Sequence, residues 1–363
     1  MKHSYLLAGI KLSHFFRLIR RNGLSFRPRY LFRALFLLQG GIWSSFLSSL
    51  EKKGLGKRIR NFKTPDDPIF IIGHWRTGST YLHQLLTQDK QFASPTVFQV
   101  SVPDNFLVSK RYYKSIMTRM LDTVRPMDQV KLGFDEPQED EYALVKMGMH
   151  SPLEQLIFPK NHGYFLSGYS TFTPDNIQLN EWIDSYKLFY KKLVFYYRKK
   201  IVFKNPFHSM RIELLKKMFP NAYFIHIYRN PYVVIPSTRH MWRIVGRQNC
   251  LRQYYSDPPF PEVIAVYKMM MNNIRESLDS LPDGSYSEVK FEELEADPMH
   301  TLENLYGQMG LIISADQQQT ISNFLNQNKD YRKNRYTLSA EEANQISVEL
   351  SHELHKYGYE NPY

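Results

Sequence analysis

Apolar and polar positions change their period several times along this chain. Residues 68–74 (PIFIIGH) form an unbroken apolar run closed by Gly73, the pattern of a strand buried on both faces. Gly78 to Leu86 follows it with helical spacing. Further strand candidates are 201–204 (IVFK), 222–228 (AYFIHIY) and 286–291 (YSEVKF). Apolar residues at spacings of three and four predict helices over 137–149, 178–199, 208–218, 231–245, 262–281, 299–309, 315–327 and 339–355. Strands separated by helices of a dozen residues or more require right-handed crossovers. The pattern therefore predicts an α/β fold with a central parallel sheet flanked by helices in three layers. A helical stretch at about 105–200 breaks the alternation and predicts an insertion at the carboxyl edge of the sheet, where ligands bind in such folds.

The first 63 residues follow another pattern. Tyr5, Ala8, Leu12, Phe15, Phe16 and Ile19 recur at three and four, with Arg17, Arg20 and Arg21 between them, so 4–21 reads as a basic amphipathic helix. Residues 34–50 carry no charge but include Gln39, Gly40, Gly41 and four serines, too polar for a spanning helix. The Leu6–Ile10 run is broken by Lys11 and lacks the form of a signal peptide. Charge sharpens this division. The 363 residues carry a formal +12, yet residues 1–63 alone hold 14 Lys and Arg against the single acid Glu51. The remaining body is close to neutral, which speaks against a protein-wide nucleic-acid groove and for an anionic surface met by the leader. Two placements of the leader are open: on the inner face of a membrane with anionic lipids, or over a groove of the body. The domain organisation expected is a basic leader over 1–63 and a catalytic domain over 64–363. One cysteine, Cys250, excludes an internal disulfide and fits a cytoplasmic location, and no Cys/His cluster has zinc-site spacing, so no metal is expected.

Two junctions carry candidate chemistry. After the first strand comes Gly73-His-Trp-Arg76-Thr77-Gly78-Ser79-Thr80. A strand, a Gly-containing turn and a helix start aim backbone N–H groups and the positive helix end at an anion. The skeleton is G-x-x-x-x-G-S-T, P-loop-like but with Ser79 where a nucleotide triphosphatase places Lys. Its cation, Arg76, lies inside the loop. Such a loop suits one 5′-phosphate and offers a guanidinium fork to a second anionic centre, but is poorly suited to Mg·ATP. The second junction is His226-Ile-Tyr-Arg229-Asn-Pro-Tyr-Val-Val-Ile-Pro-Ser237, with Arg229 just past a strand and Ser237 about two helical turns on.

Together the two segments resemble the sulfotransferase superfamily, which uses 3′-phosphoadenosine 5′-phosphosulfate (PAPS) as donor and releases adenosine 3′,5′-bisphosphate. PIFIIGHWRTGSTYL is similar to its 5′-phosphosulfate loop and YRNPYVVIPS to its 3′-phosphate site. VFKNPFH resembles its K-x-P-x-H strand end, and KFEELEADPMHTLENLYGQMG its late strand–helix unit. Arg76 in place of a lysine looks like the bacterial branch. The resemblance implies that the amides of Thr77, Gly78, Ser79 and Thr80 hold the 5′-phosphate, with Arg76 near the sulfuryl group. It implies that Arg229 and Ser237 bind the 3′-phosphate, closed by a basic segment for which 331–336 is the candidate, Arg335 first.

Sulfuryl transfer needs an in-line acceptor and cations on the leaving phosphate, so positioning supplies most of the catalysis. Arg76 and Lys204, which ends a strand at the same edge, are the cations expected on the leaving side. An alcohol acceptor benefits from a general base. His208, four residues after Lys204, is one candidate. Glu139, in the acidic run Asp135-Glu-Pro-Gln-Glu-Asp-Glu141, is the other, picked out by a P-x-E pattern that bacterial relatives resemble. Relatives often carry an acid where this chain has Gln99, which cannot serve as a base. Aromatic and Met-rich segments such as Tyr112–Met120 and Met269–Met271, together with the leader, point to a small lipophilic hydroxyl acceptor such as a sterol or lipid alcohol. The rival readings are a P-loop kinase using ATP, which would need Lys after Gly78, and a non-catalytic nucleotide- or membrane-binding protein.

Overall fold

The computed structural model describes residues 6–23, 31–110, 133–158, 176–251, 257–328 and 336–362. Residues Tyr112–Met120 and Arg335, singled out above, lie outside the described residues. The chain divides into two compact units, one of Met1–Thr64, Ser94–Arg198 and Arg243–Ser256, the other of Pro65–Ala93, Lys199–Trp242 and Asp257–Tyr363. Elements are numbered along the chain.

The second unit is built on β1 (Ile69–Ile72), β2 (Phe92–Ala93), β3 (Lys200–Lys204), β4 (Tyr223–Tyr228) and β5 (Tyr286–Lys290). They form one parallel sheet in the order β2-β3-β1-β4-β5. All four β1 residues are buried, as its continuous Ile/Phe sequence requires of a strand covered on both faces, whereas edge strand β5 alternates. On one face Ile69, Ile71, Val202, Ile225 and Ile227 pack on Leu82, Leu85 and Leu86 of α3 (Ser79–Leu86) and on α11 (Phe291–Ala296), α12 (Pro298–Gln308) and α13 (Ala315–Gln327). On the other, register places Phe203, Phe70 and Phe224 side by side. Their rings stack 5.5 Å apart across three strands. The 3₁₀ turn Pro206–Met210, α8 (Ile212–Met218), α9 (Pro231–Asn249), α10 (Phe260–Asp279), α14 (Ala340–Glu349) and α15 (Ser351–Tyr357) complete the element list.

Four strands and most helices fall where the periodicity puts them. The differences are local. Strand β2 has two residues, too few to show a period. The helix expected over 208–218 is a 3₁₀ turn and then α8, because Asn205 accepts the Phe207 N–H and Pro206 sets a tight start. The helix expected over 339–355 breaks at Leu350 into α14 and α15.

The first unit contains α1 (Leu12–Asn22), α2 (Leu31–Asn61), α4 (Val97–Ser101), α5 (Glu141–Lys146), α6 (Glu154–Ile157) and α7 (Asn176–Tyr197). The 4–21 helix starts only at Leu12, after a turn over Leu6–Gly9; Leu6, Leu7, Ile10, Phe15, Leu18 and Ile19 are core residues, Ala8 and Leu12 are half-buried, and Phe16 is exposed. Arg21 and Asn22 both bond Glu154, at 2.9 and 2.7 Å. Residues 6–22 thus pack within their own unit. Helix α2 is the larger surprise, a 31-residue helix through the stretch read only as too polar to span. Its Glu51 pairs with Lys192 of α7; Lys192 also donates to the Pro103 carbonyl at 2.7 Å, and Glu51 accepts the Leu107 N–H at 2.9 Å. No described helix is long and apolar enough to cross a membrane.

Candidate active site

The loop after β1 is shaped by glycines that cannot be exchanged for larger residues. Gly73 ends β1 with φ +139, and a Cβ there would stand 2.3 Å from the Ile227 carbonyl oxygen. Its N–H donates to Ser209 Oγ at 2.9 Å while the Ser209 hydroxyl donates back to the Gly73 carbonyl at 3.1 Å. His74 and Trp75 turn inward: the His74 ring lies 4.9 Å from that of Tyr267, and Trp75 packs edge-on against Phe207 and Trp242. Full burial drives the His74 imidazole down to about 3, so it is neutral at any physiological pH. Arg76 and Gly78 both adopt positive φ, 68° and 93°. Between them Thr77 folds its hydroxyl onto the His74 carbonyl at 2.8 Å. The backbone is thus wound into a concave turn at the start of α3, whose first N–H groups have no carbonyl of their own helix to meet.

The two anchors read from separate parts of the sequence meet here. Arg76 Nε donates to Ser237 Oγ at 2.9 Å, and Arg229 Nη1 donates to the Arg76 carbonyl at 3.3 Å. Ser237 is buried on α9, and Arg229 stands one residue past β4. The Arg229 guanidinium lies 4.3 Å over the Phe291 ring, and the same ring would be 2.0 Å from a Cβ at Gly78. Burial opposes the charge of Arg229, while Glu292 and Glu295 favour it. Glu292 in turn accepts the Asn230 N–H at 3.1 Å and the Tyr359 hydroxyl at 2.9 Å. Asn230 Oδ1 accepts the Tyr232 N–H, and Pro231 opens α9.

Lys204 is the last residue of β3, opposite Ile71, and is buried. His208 lies four residues on, in the 3₁₀ turn, fully buried with its ring edge-on to Phe70 at 5.4 Å. Its neighbour Ser209 is the clamp on Gly73, so the turn that carries His208 also fixes the mouth of the loop.

Glu139 belongs to the first unit, where residues 133–140 run beside 95–98. Val97 N–H donates to the Glu136 carbonyl and Gln138 N–H to that of Pro95. Glu139 is half-buried, one residue before Asp140, the N-cap position of α5. Gln99 has a structural duty there. Its side-chain carbonyl accepts the Thr96 N–H at 2.9 Å in a capping box and the Tyr197 hydroxyl at 3.1 Å.

Ser209, Phe291 and Glu292 were not singled out by sequence reasoning. Ser209 adjoins a named residue, but its bond to Gly73 spans 136 positions and leaves no local trace. Phe291 begins a helix of six residues that the strand candidate 286–291 absorbed. The Asn230-Pro231 pair did carry a readable signal, an N-terminal Asn followed by Pro at the first helical position.

Residues 68–315 match a protein-family model described as the sulfotransferase family. Over 356 residues the chain is 30% identical to the omega-hydroxy-beta-dihydromenaquinone-9 sulfotransferases Stf3 of Mycobacterium bovis and Mycobacterium tuberculosis, a span of 98% of this chain and 91% of each relative. Among solved structures, sulfotransferase STF9 from Mycobacterium avium superposes with a TM-score of 0.70 at 16% identity over 97% of both chains. Sulfotransferase STF1 from Mycobacterium tuberculosis gives 0.65 at 16% identity over 94% of this chain and 91% of the other. The two structures establish likeness of fold, and the family match runs from β1 past β5 and takes in both anchors. A loop with Ser after its second glycine, closed by an Arg–Ser pair from a distant junction, is accounted for by that match: the chain belongs to the sulfotransferase family.

Proposed function

We propose that this enzyme binds PAPS across the Arg76–Ser237–Arg229 cluster and delivers its sulfuryl group to the hydroxyl of a lipid alcohol. The observation that carries the donor reading is the pair of bonds from Arg76 to Ser237 and from Arg229 to the Arg76 carbonyl, which bring the two anchors to one place. The residues fit such a ligand: two guanidiniums and a helix start gather around a backbone turn that tolerates no larger residue at Gly78. Bound there, the donor would supply an activated sulfuryl group on a phosphate leaving group.

The chain's own part is positioning and charge. Thr77, Gly78, Ser79 and Thr80 would present backbone amides to the 5′-phosphate. Arg229 and Ser237 would take the 3′-phosphate, and Arg76 with Lys204 would neutralise charge gathering on the leaving side. The place of Lys204 at the carboxyl end of β3, opposite Ile71 of β1, supports that role. The acceptor proton goes to His208 or to Glu139. His208 shares the Lys204 end of β3 but has to move from a fully buried position to accept a proton, whereas Glu139 is half-exposed at the start of a helix. The lipid class of the acceptor is supported by the two Stf3 relatives, whose name gives omega-hydroxy-beta-dihydromenaquinone-9 as substrate.

Calorimetry with adenosine 3′,5′-bisphosphate and with ATP, without added Mg²⁺, tests the donor reading. Binding of the bisphosphate with no comparable binding of ATP is expected; equal affinities would overturn it. For the base, Glu139→Gln and His208→Ala are compared at saturating acceptor. The base variant loses at least roughly a hundredfold in turnover, and retention of more than a tenth by both removes both from the role.

A further inference from the structure

Helix α2 has two opposite faces of different kinds. Ala34, Leu37, Gly41, Ser44, Leu47, Glu51 and Ile59 are buried. Opposite them Phe32 is 83% exposed and Trp43 57%, and Leu35, Ile42, Phe46 and Leu50 are exposed as well. Their spacings of three, four and seven put them on one stripe, about 27 Å long from residue 32 to 50 at helical rise. Lys53, Lys57 and Arg60 continue the same stripe toward the helix end, and all three are exposed. Lys52 and Arg58 stand beside it, exposed too. A run of exposed large apolar side chains this long is unusual on a folded chain and marks an interaction surface.

We propose that this stripe of α2 seats the enzyme on an anionic lipid bilayer. The apolar residues enter the boundary between headgroups and acyl chains, Trp43 sits at the headgroup level, and Lys53, Lys57 and Arg60 meet acidic lipid headgroups. The charge pattern selects a bilayer over a second copy of the chain. Whichever way two such helices pair, the cations of one face either the cations or the apolar stripe of the other. The sequence directs attention to residues 4–21 as the amphipathic segment, but there Phe15, Leu18 and Ile19 are buried and Phe16 alone among the described large apolar residues is exposed, whereas the stripe on α2 exposes six. This rests on the lipid-alcohol reading only for its purpose, since a bilayer is where such an acceptor is dissolved. The docking itself requires neither donor nor acceptor.

The test is sedimentation of the full chain with vesicles of phosphatidylcholine alone and of phosphatidylcholine mixed with phosphatidylglycerol. Binding is expected to the mixed vesicles, weakening as salt is raised. Trp43 is the exposed member of the four tryptophans, so its emission should shift to the blue on binding. The triple variant Phe32→Ser, Trp43→Ser, Phe46→Ser should lose roughly tenfold or more in partitioning, and Lys53→Gln, Lys57→Gln, Arg60→Gln should lose the dependence on acidic lipid. Both variants should keep the melting temperature and the affinity for adenosine 3′,5′-bisphosphate, which separates a failure here from a failure of the donor reading. Equal sedimentation of wild type and both variants, no binding by wild type, or a dimer abolished by the triple variant would each overturn the proposal.

Discussion

Gly78 shows how much of the proposed donor site is decided by one hydrogen atom. Its φ of 93° is open to glycine, and a methyl group would press into the Phe291 ring that also supports Arg229. Gly78→Ala should destabilise the fold by about 1–3 kcal/mol and weaken adenosine 3′,5′-bisphosphate by more than its stability loss explains, as calorimetry beside thermal melts will show. Arg229→Ala removes a charge-assisted contact worth about 1.5–3 kcal/mol, so bisphosphate affinity should fall roughly ten- to a hundredfold; unchanged affinity would leave the proposed donor site without its second end. Lys146 of α5 makes a different prediction. It is buried with its ammonium donating to the Val100 carbonyl at 3.1 Å, and burial pushes it down to about 7. Its folded-state pKa is below the unfolded value, so the unfolded chain binds the extra proton between about 7 and 10.5. The Lys146 contribution to stability therefore rises with pH across that window. Lys146→Met should raise stability at pH 7, and its gain over wild type should shrink from pH 7 to pH 9, measured by urea unfolding at both.

At the scale of elements, the clip between α2 and α7 deserves a direct test. Glu51 and Lys192 are both buried; burial raises the carboxyl and lowers the ammonium, while each partner opposes the other's shift. Glu51→Leu would leave the buried Lys192 without its paired carboxylate, with only the more remote Asp104 and the Pro103 carbonyl in support, at a cost of about 3–5 kcal/mol, and Glu51→Leu with Lys192→Met should recover most of it. Element reading from the sequence succeeded where an apolar run is continuous, as in the doubly covered strands β1, β3 and β4, or where a helix buries one face, as in α10, and Arg76, Arg229 and Ser237 sit at junctions those patterns define. It failed where the pattern is two-sided or too short. Helix α2 carries apolar residues on both faces, so no stripe stands out in the sequence, although each face is coherent in three dimensions. Helix α11 has six residues and β2 two, below the length at which a period can be seen. The 3₁₀ turn has a local cause in Asn205 and Pro206, but the bond it allows between Ser209 and Gly73 spans 136 positions and leaves no mark in the local pattern.

For the molecule as a whole, the end of α15 and the residues after it return to the sheet unit's candidate site. Tyr357 stacks on Tyr228 at 4.1 Å, and Tyr359 bonds Glu292, which also holds the Asn230 N–H beside Arg229. Neither tyrosine stands near the anchors in sequence, so this support was illegible until the fold was known. Tyr359→Phe should lower bisphosphate affinity a fewfold, with little change in melting temperature, and a matching fall in both would assign Tyr359 to stability alone. The bond from Arg229 to the Arg76 carbonyl has a wider consequence. Each guanidinium is steadied by the residue that the other end of the nucleotide would engage in the proposed binding mode, so occupancy at one end would prepare the other. Nucleotides that lack a 3′-phosphate, the great majority in any cell, would then forfeit this mutual tightening as well as the missing contact, and the enzyme could pick out a scarce sulfuryl donor against abundant ATP.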